Sequence, residues 1–299
     1  MAAITSSVTG LAPFEVTNEI EKWKAEGFTE PEGEFRKRQK AWDLPRIDFL
    51  QKFLLREAKH QYARARLLAS AQPESGAWIT AIPVPNLGTQ LTPEELRIAI
   101  ALRTGSKICE RHRCKCGGYA DEFGYHLLSC KFNEGRRPRH TAINNIICRA
   151  LKASDTPATL EPLGLNRENG LRPDGVTINP FSRGKPLSWD ATCVNTFAES
   201  SVYGNAIEAG HAAAKAEAAK RVKYGFMANS YRFEPIAIDT LGAYGPTTKN
   251  IIREIGKLTT DKTGETRETQ WLMQRLSIAV QRGNALSILS RTRHLTDFA

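Results

Sequence analysis

Between residues 114 and 130 the chain reads CKCGGYADEFGYHLLSC, three cysteines and a histidine in seventeen residues. This stretch constrains the fold more than any other, because side chains that share one ion must converge on a point. Zinc takes four nitrogen or sulfur ligands in a tetrahedron, and thiolates with an imidazole suit a borderline-soft ion. Cys114, Cys116, His126 and Cys130 supply such a set in the order C-x-C-x9-H-x3-C. Gly117 and Gly118 permit the tight turn that brings the first two sulfurs together. His126 and Cys130, four residues apart, predict one side of a short helix. The first pair is closer spaced than the commoner C-x2-C, which leaves Cys109 as a substitute ligand. The alternative is a set of reduced, partly buried cysteines with no metal. A catalytic zinc keeps one position open. Four protein ligands, with no H-E-x-x-H or H-x-E arrangement nearby, point instead to a closed, structural ion.

Cys109, Cys114, Cys116 and Cys130 crowd one window while Cys148 and Cys193 stand apart. In a reducing compartment such clustering favours metal over disulfides. The N-terminus has neither a basic region nor a continuous apolar core, so no secretory signal is read. No run reaches the roughly 20 apolar residues that span a bilayer. An intracellular, non-secreted protein is expected. With 299 residues and 41% hydrophobic content, the chain can bury one large core or two modest ones. Its 42 Lys+Arg against 32 Asp+Glu favour a polyanionic partner, because clustered cations release condensed counterions on meeting phosphates.

Residues 1–30 lack a steady period and are read as a weakly ordered lead-in. Residues 31–105 are read as a helical linker region: two helices broken at Pro45, with Phe49, Phe53, Leu54, Tyr62 and Leu67 as a stripe, then a Pro/Gly/Ser connector, then a helix capped by Thr92 and closed by Gly105. The cysteine element occupies 106–135. From 136 to 299 the pattern changes. RPRHTAINNIICRALKAS predicts an amphipathic helix, ATLEPLGL, LRPDGVTI and PLSWDATCVNTF predict short strands, and the Ala-rich YGNAIEAGHAAAKAEAAKRVKYGF predicts a helix. RFEPIAIDTLG predicts another strand, followed by two helices, the last long and basic. The order αβββαβ plus helices predicts an α/β domain with a mixed sheet.

Within GLRPDGVTINPFSRGKPLSWDATCV, Asp174 and Asp190 interrupt apolar segments. If the two segments pair about Ser182, the aspartates lie opposite each other with side chains roughly 5 Å apart. Like charges there need a cation between them or a shared proton. With Glu161 as a third carboxylate, this predicts a Mg²⁺ site able to hydrolyse a phosphodiester, assisted by a lysine from the following helix, where Lys215, Lys220 and Lys223 fall. The alternative is that Asp174 is a turn residue between Pro173 and Gly175, Asp190 an edge-strand charge, and the lysines a solvated face.

A Cys-Cys-His-Cys element followed by R-P-D, a W-D strand and a lysine-bearing helix resembles the restriction-like endonuclease end of early-branching, site-specific non-LTR retrotransposons. CKCGGYADEFGYHLLSC, LRPDGVTI and SWDATCVN carry the resemblance, which spans about residues 75–290. It implies a restriction-endonuclease-like, PD-(D/E)xK αβββαβ core preceded by the zinc element, with structural Zn²⁺, catalytic Mg²⁺, and DNA or the element's RNA as partner in the nucleus or elsewhere inside the cell. On that resemblance Asp174 matches the PD aspartate, Asp190 the second acidic position and Glu161 the upstream acidic position. Thr192 stands where the motif has lysine. In this type of endonuclease the lysine comes from the next helix, which makes Lys220 the first choice and Lys223 the second. No aromatic-x-D-D polymerase signature precedes the nuclease region, so the chain is expected to be a detached remnant or a fragment of a longer polyprotein. Two functions follow: a DNA-nicking endonuclease, or a decayed, non-enzymatic nucleic-acid-binding protein. Phosphate contacts fall to Arg172 and to a basic tail with Arg275, Arg282, Arg291 and Arg293, unless that tail packs on the core as an ordinary amphipathic helix.

Overall fold

A computed structural model describes residues 13–29, 31–33, 39–165 and 171–292, and the chain divides into two compact units at Lys59/His60. The first unit holds helices α1 (Pro13–Ala25) and α2 (Gln39–Glu57). Helix α1 falls where the sequence gives no period. Helix α2 runs through Pro45, where the sequence predicts a break, and the chain instead leaves the helix after Glu57. No residue of α2 is buried, so water can take the carbonyl that Pro45 leaves without a donor. Phe49, Phe53 and Leu54 of the expected stripe are therefore exposed. Trp23 packs on Phe28 and Trp42 at ring separations of 4.6 and 6.3 Å.

The second unit begins with α3 (Gln61–Ser70) and a 3-10 segment, Pro73–Thr80, followed by α4 (Pro93–Thr104). The predicted connector is not a loose linker, since Glu74, Ser75 and Trp78 within it are buried. Thr92 and Glu95 form a reciprocal capping box at the start of α4, and Gly105 closes it in the left-handed conformation. A two-stranded antiparallel ribbon, β1 (His112–Arg113) and β2 (Tyr119–Ala120), follows. Then come α5 (Arg136–Ala153), β3 (Ala158–Leu160), β4 (Gly175–Thr177), β5 (Leu187–Val194), α6 (Glu199–Asn205), α7 (His211–Lys223), β6 (Arg232–Asp239), α8 (Pro246–Thr263) and α9 (Glu268–Leu289). The Ala-rich stretch is two helices, because Gly210 takes a left-handed φ of 76° against the Tyr244 carbonyl.

The second unit is mixed α/β, with a four-stranded sheet in the order β3-β4-β5-β6. The first two pairings are antiparallel and β5 runs parallel to β6. A parallel pair needs a long crossover, here α6 and α7. Side chains alternate along β5. Leu187, Trp189 and Ala191 join Ile143, Ile147 and Leu151 of α5, Ile251 and Ile255 of α8, and Leu272 and Leu276 of α9 in the main core. Asp190 faces the other way, toward α7. Helices α5 and α9 pack so closely that a Cβ on Gly283 would lie 2.4 Å from Cβ of Arg139, a contact only glycine allows. A second core joins α4, α9 and the cysteine element through Ile98, Leu102, Ile108, Leu127, Leu128 and Ile288. Helix α9 is thus a central packing element, with Leu276, Val280, Asn284 and Ser287 buried. No helix among the described residues is long and apolar enough to cross a membrane.

Candidate functional site

The cysteine element is built on the β1-β2 ribbon, whose connection carries Cys114 and Cys116. Gly117 adopts φ 93°, and Gly118 passes so close to the His126 ring that an added Cβ would sit 3.2 Å from Cε1. Residues 124–129 make successive turns, closed by Leu127 N to Gly124 O and Ser129 N to His126 O, rather than the predicted short helix. The loop is held by Asp121, whose carboxylate accepts from the backbone N–H groups of Phe123, Tyr125 and His126 at 3.0, 3.1 and 2.8 Å. The ligand atoms of Cys114, Cys116, His126 and Cys130 all lie within 4.8 Å of one another. Cys114 Sγ is 3.6 Å from Cys130 Sγ, and Cys116 Sγ is 3.2 Å from His126 Nε2. Bond lengths of about 2.3 Å to sulfur and 2.0 Å to nitrogen give tetrahedral edges of about 3.8 and 3.5 Å. The four side chains therefore form a cluster that can hold a metal and is compatible with zinc. Cys109 lies outside it: its thiol reaches the Asp121 carbonyl at 3.5 Å, and burial pushes its pKa up to about 11. The backbone N–H of Gly118, 3.4 Å from Cys116 Sγ, draws that thiol down to about 6.

The carboxylates meet at the start of β4. Gly175 pairs with Trp189 and Val176 with Ser188, the register centred on Ser182 that places Asp174 next to Asp190. The close approach depends on Gly175, where a Cβ would lie 2.1 Å from the Trp189 ring. Asp174 Oδ2 accepts from the Ala191 N–H at 2.6 Å and lies 2.9 Å from His140 Nε2. Asp190 is 6% exposed and sits on an interior strand, not at a sheet edge. Its Oδ1 accepts from Lys220 Nζ of α7.

Helix α7 is aimed by a carboxylate three residues before that lysine. Glu217, 4% exposed, caps the start of α8, accepting from Thr247 N at 2.9 Å, Thr248 N at 2.8 Å and Thr248 Oγ1 at 2.7 Å. Residues three apart share a helix face, so the cap that fixes Glu217 also turns Lys220 toward Asp190. Burial works against ionisation of Asp174, yet the bonds from His140 and the Ala191 N–H hold its pKa below the usual carboxylate value. The same bond raises the pKa of His140. Burial, then Asp190, drives the Tyr224 phenol far above its ordinary value, and its hydroxyl donates to the Arg172 carbonyl at 2.9 Å. A supporting chain runs from Trp189 Nε1 to Asn144 Oδ1 at 2.9 Å, and Asn144 in turn sits 3.3 Å from His140 Nε2.

No protein-family model matches the chain, and no curated protein does.

Several expected residues are placed elsewhere. The Glu161 backbone N–H donates to the Asp174 carbonyl, but its side chain is 71% exposed and pairs with Arg172 at 2.7 Å. No group of three or more His, Cys, Asp or Glu forms around Asp174 and Asp190 among the described residues. Glu161, whose φ is 46°, is thus paired with Arg172 and not gathered with the two aspartates. Lys223 is exposed, its ammonium 5.0 Å over the Tyr224 ring, and Lys215 is exposed too. Arg172 is paired as described, and Arg282 is held by Glu95 at 3.5 Å and by the Gln90 carbonyl. Arg291 pairs with Glu134 at 3.0 Å, Arg275 is exposed on α9, and Arg293 lies outside the described residues. The tail helix packs as a core element and keeps Arg275 on its exposed side. His140, Asn144, Asp121 and Tyr224 escape the sequence reading. The only signal for the first two is a His and an Asn four apart on the helix face that also carries Ile143 and Ile147.

Proposed function

We propose that the chain is a divalent-metal-dependent DNA endonuclease of the restriction-like kind that its motifs resemble, with a structural zinc in the cysteine element. The observation that carries the reading is the convergence of Asp174 and Asp190 in one register with Lys220 Nζ bonded to Asp190. The helix-strand order and the antiparallel, antiparallel, parallel sheet support a restriction-like core.

The donor set fits a hard cation. Mg²⁺ is bound through one or two carboxylates together with waters and substrate phosphates, and the Asp174 and Asp190 side chains are 19% and 8% exposed, at the end of a strand pair. Bound there, the ion would polarise the scissile phosphate and lower the pKa of a coordinated water. The protein's own groups prepare the rest. His140 and the Ala191 N–H keep Asp174 ionised and fix its rotamer. Lys220 carries a cation to Asp190, where it can stabilise charge that builds on phosphate oxygens in the transition state. It supplies from a helix what Thr192 cannot supply from the strand. A cleft of about 520 Å³ shares Tyr224 with the site; Glu234 and Glu254 hold its Arg221 and Arg232, so the cations it offers a phosphate backbone are Arg183 and Lys185. The zinc element would brace this platform, since Cys114 and Cys130 belong to the same core as Leu241 and Ile288.

The test is metal dependence. Purified protein should convert supercoiled plasmid to open circles with Mg²⁺ or Mn²⁺ and not with EDTA. Cleavage at the same rate without any divalent ion would refute the reading.

A further inference from the structure

A second cleft, of about 1070 Å³, lies between α3, the cysteine element and the loop after β5. Its wall is aromatic. Tyr125 stacks on buried Phe197 at 3.8 Å, with Tyr62 at 5.6 Å and Phe123 at 5.4 Å from Tyr125, at interplanar angles of 20°, 5° and 22°. Tyr62, Phe123 and Tyr125 line the cleft and are only half-buried, so part of each ring meets solvent. Arg66 lies in the same cleft. One of its nitrogens donates to the Arg103 carbonyl at 2.9 Å, and no carboxylate pairs with it among the described residues. Two acids line the cleft, Glu199 and Asp121, and the Asp121 carboxylate is already engaged by three backbone N–H groups.

We propose that this cleft binds an unpaired nucleotide of a single DNA strand, the base stacking on the Tyr62–Phe123–Tyr125 wall and the phosphate meeting Arg66. Near-parallel, part-exposed rings suit any base, because every base has a π-face. The unpaired guanidinium selects an anion and disfavours the organic cations that aromatic cages otherwise hold. This rests on the nucleic-acid part of the proposed function but not on cleavage, since the cleft shares no residue with Asp174, Asp190 or Lys220.

The experiment measures binding of fluorescein-labelled oligothymidine, fifteen nucleotides long, and of a matching duplex to the full chain by anisotropy. Tyr62→Ala and Phe123→Ala should each weaken single-strand binding roughly 5- to 100-fold. Tyr62→Phe should retain it, and duplex binding and plasmid nicking should stay unchanged. Irradiation of a strand carrying 5-iodo-deoxyuridine should crosslink to Tyr62, Phe123 or Tyr125, which tests the site without any substitution. Wild-type affinity in both alanine variants, equal losses for strand and duplex, or crosslinks confined to other residues would overturn the proposal. So would thymidine monophosphate competing as well as the strand does. Nicking without single-strand binding would overturn this inference and leave the nuclease reading standing. Tyr62-dependent strand binding without nicking would do the reverse.

Discussion

Replacing Lys220 by Met tests whether the Asp190–Lys220 pair is a buried, mutually dependent unit. The side chains are 8% and 18% exposed, so removal of the ammonium leaves a carboxylate in a poorly hydrated strand interior. Removing one partner of a buried pair costs about 3–5 kcal/mol. Lys220→Met should therefore be destabilised by about 3–5 kcal/mol, or roughly 5–20 °C for a unit of this size. The double variant Asp190→Asn/Lys220→Met leaves no charge at the pair and should recover most of the loss. Urea unfolding followed by circular dichroism at pH 7 in metal-free buffer measures all three chains. A Lys220→Met protein as stable as wild type, or a double variant no more stable than Lys220→Met, would show that the two side chains do not depend on each other.

Elemental analysis should find one zinc per chain, lost in Cys114→Ser and Cys130→Ser but kept in Cys109→Ser; zinc retained without Cys114 and Cys130 would contradict the ligand set. Gly175→Ala should lower stability by at least about 2 kcal/mol, because its Cβ would lie 2.1–2.5 Å from three atoms of the fully buried Trp189 ring; an unchanged melting temperature would show that the pairing is looser. Burial raises the Asp239 carboxyl to about 7, against the pull of the backbone N–H groups of Ala243 and Leu241. Its folded pKa exceeds its unfolded one, so this contribution to stability is full below about pH 4 and is lost as the pH rises toward 7, about 4 kcal/mol in all. Asp239→Asn should lack that slope, and identical pH profiles for variant and wild type would contradict the assignment.

Much of the second unit is legible because local rules and the fold agree there. Thr92, Glu95 and Gly105 announce both ends of α4 by side-chain and backbone chemistry that needs no tertiary help. The β4-β5 register can be read because a turn-rich segment separates two apolar runs, and Arg183 and Gly184, with φ of 50° and 75°, make the tight reversal. Ligand spacing reveals the Cys/His cluster that can hold a metal, since few arrangements let four donors converge. What the sequence hides is set at long range. Glu161 pairs with Arg172, a partner eleven residues away that spacing does not announce, and His140 joins Asp174 only once α5 lies across the sheet. The arginines of the C-terminal tail look like a basic surface until α9 packs, Glu95 takes up Arg282 and Glu134 takes up Arg291 just beyond the helix. Pro45 misleads because an exposed helix can tolerate a missing hydrogen bond that a buried one cannot.

The nicking rates of Asp174→Asn and Asp190→Asn against wild type decide whether these two carboxylates serve phosphodiester cleavage, as proposed. Each protein should first be matched for zinc content and for duplex binding. Wild type should nick in a Mg²⁺-dependent way and both variants should lose at least about a hundredfold, the scale on which a single transition-state-stabilising contact is felt. Nicking at wild-type rates by both folded, zinc-loaded variants would rule the two carboxylates out of the reaction.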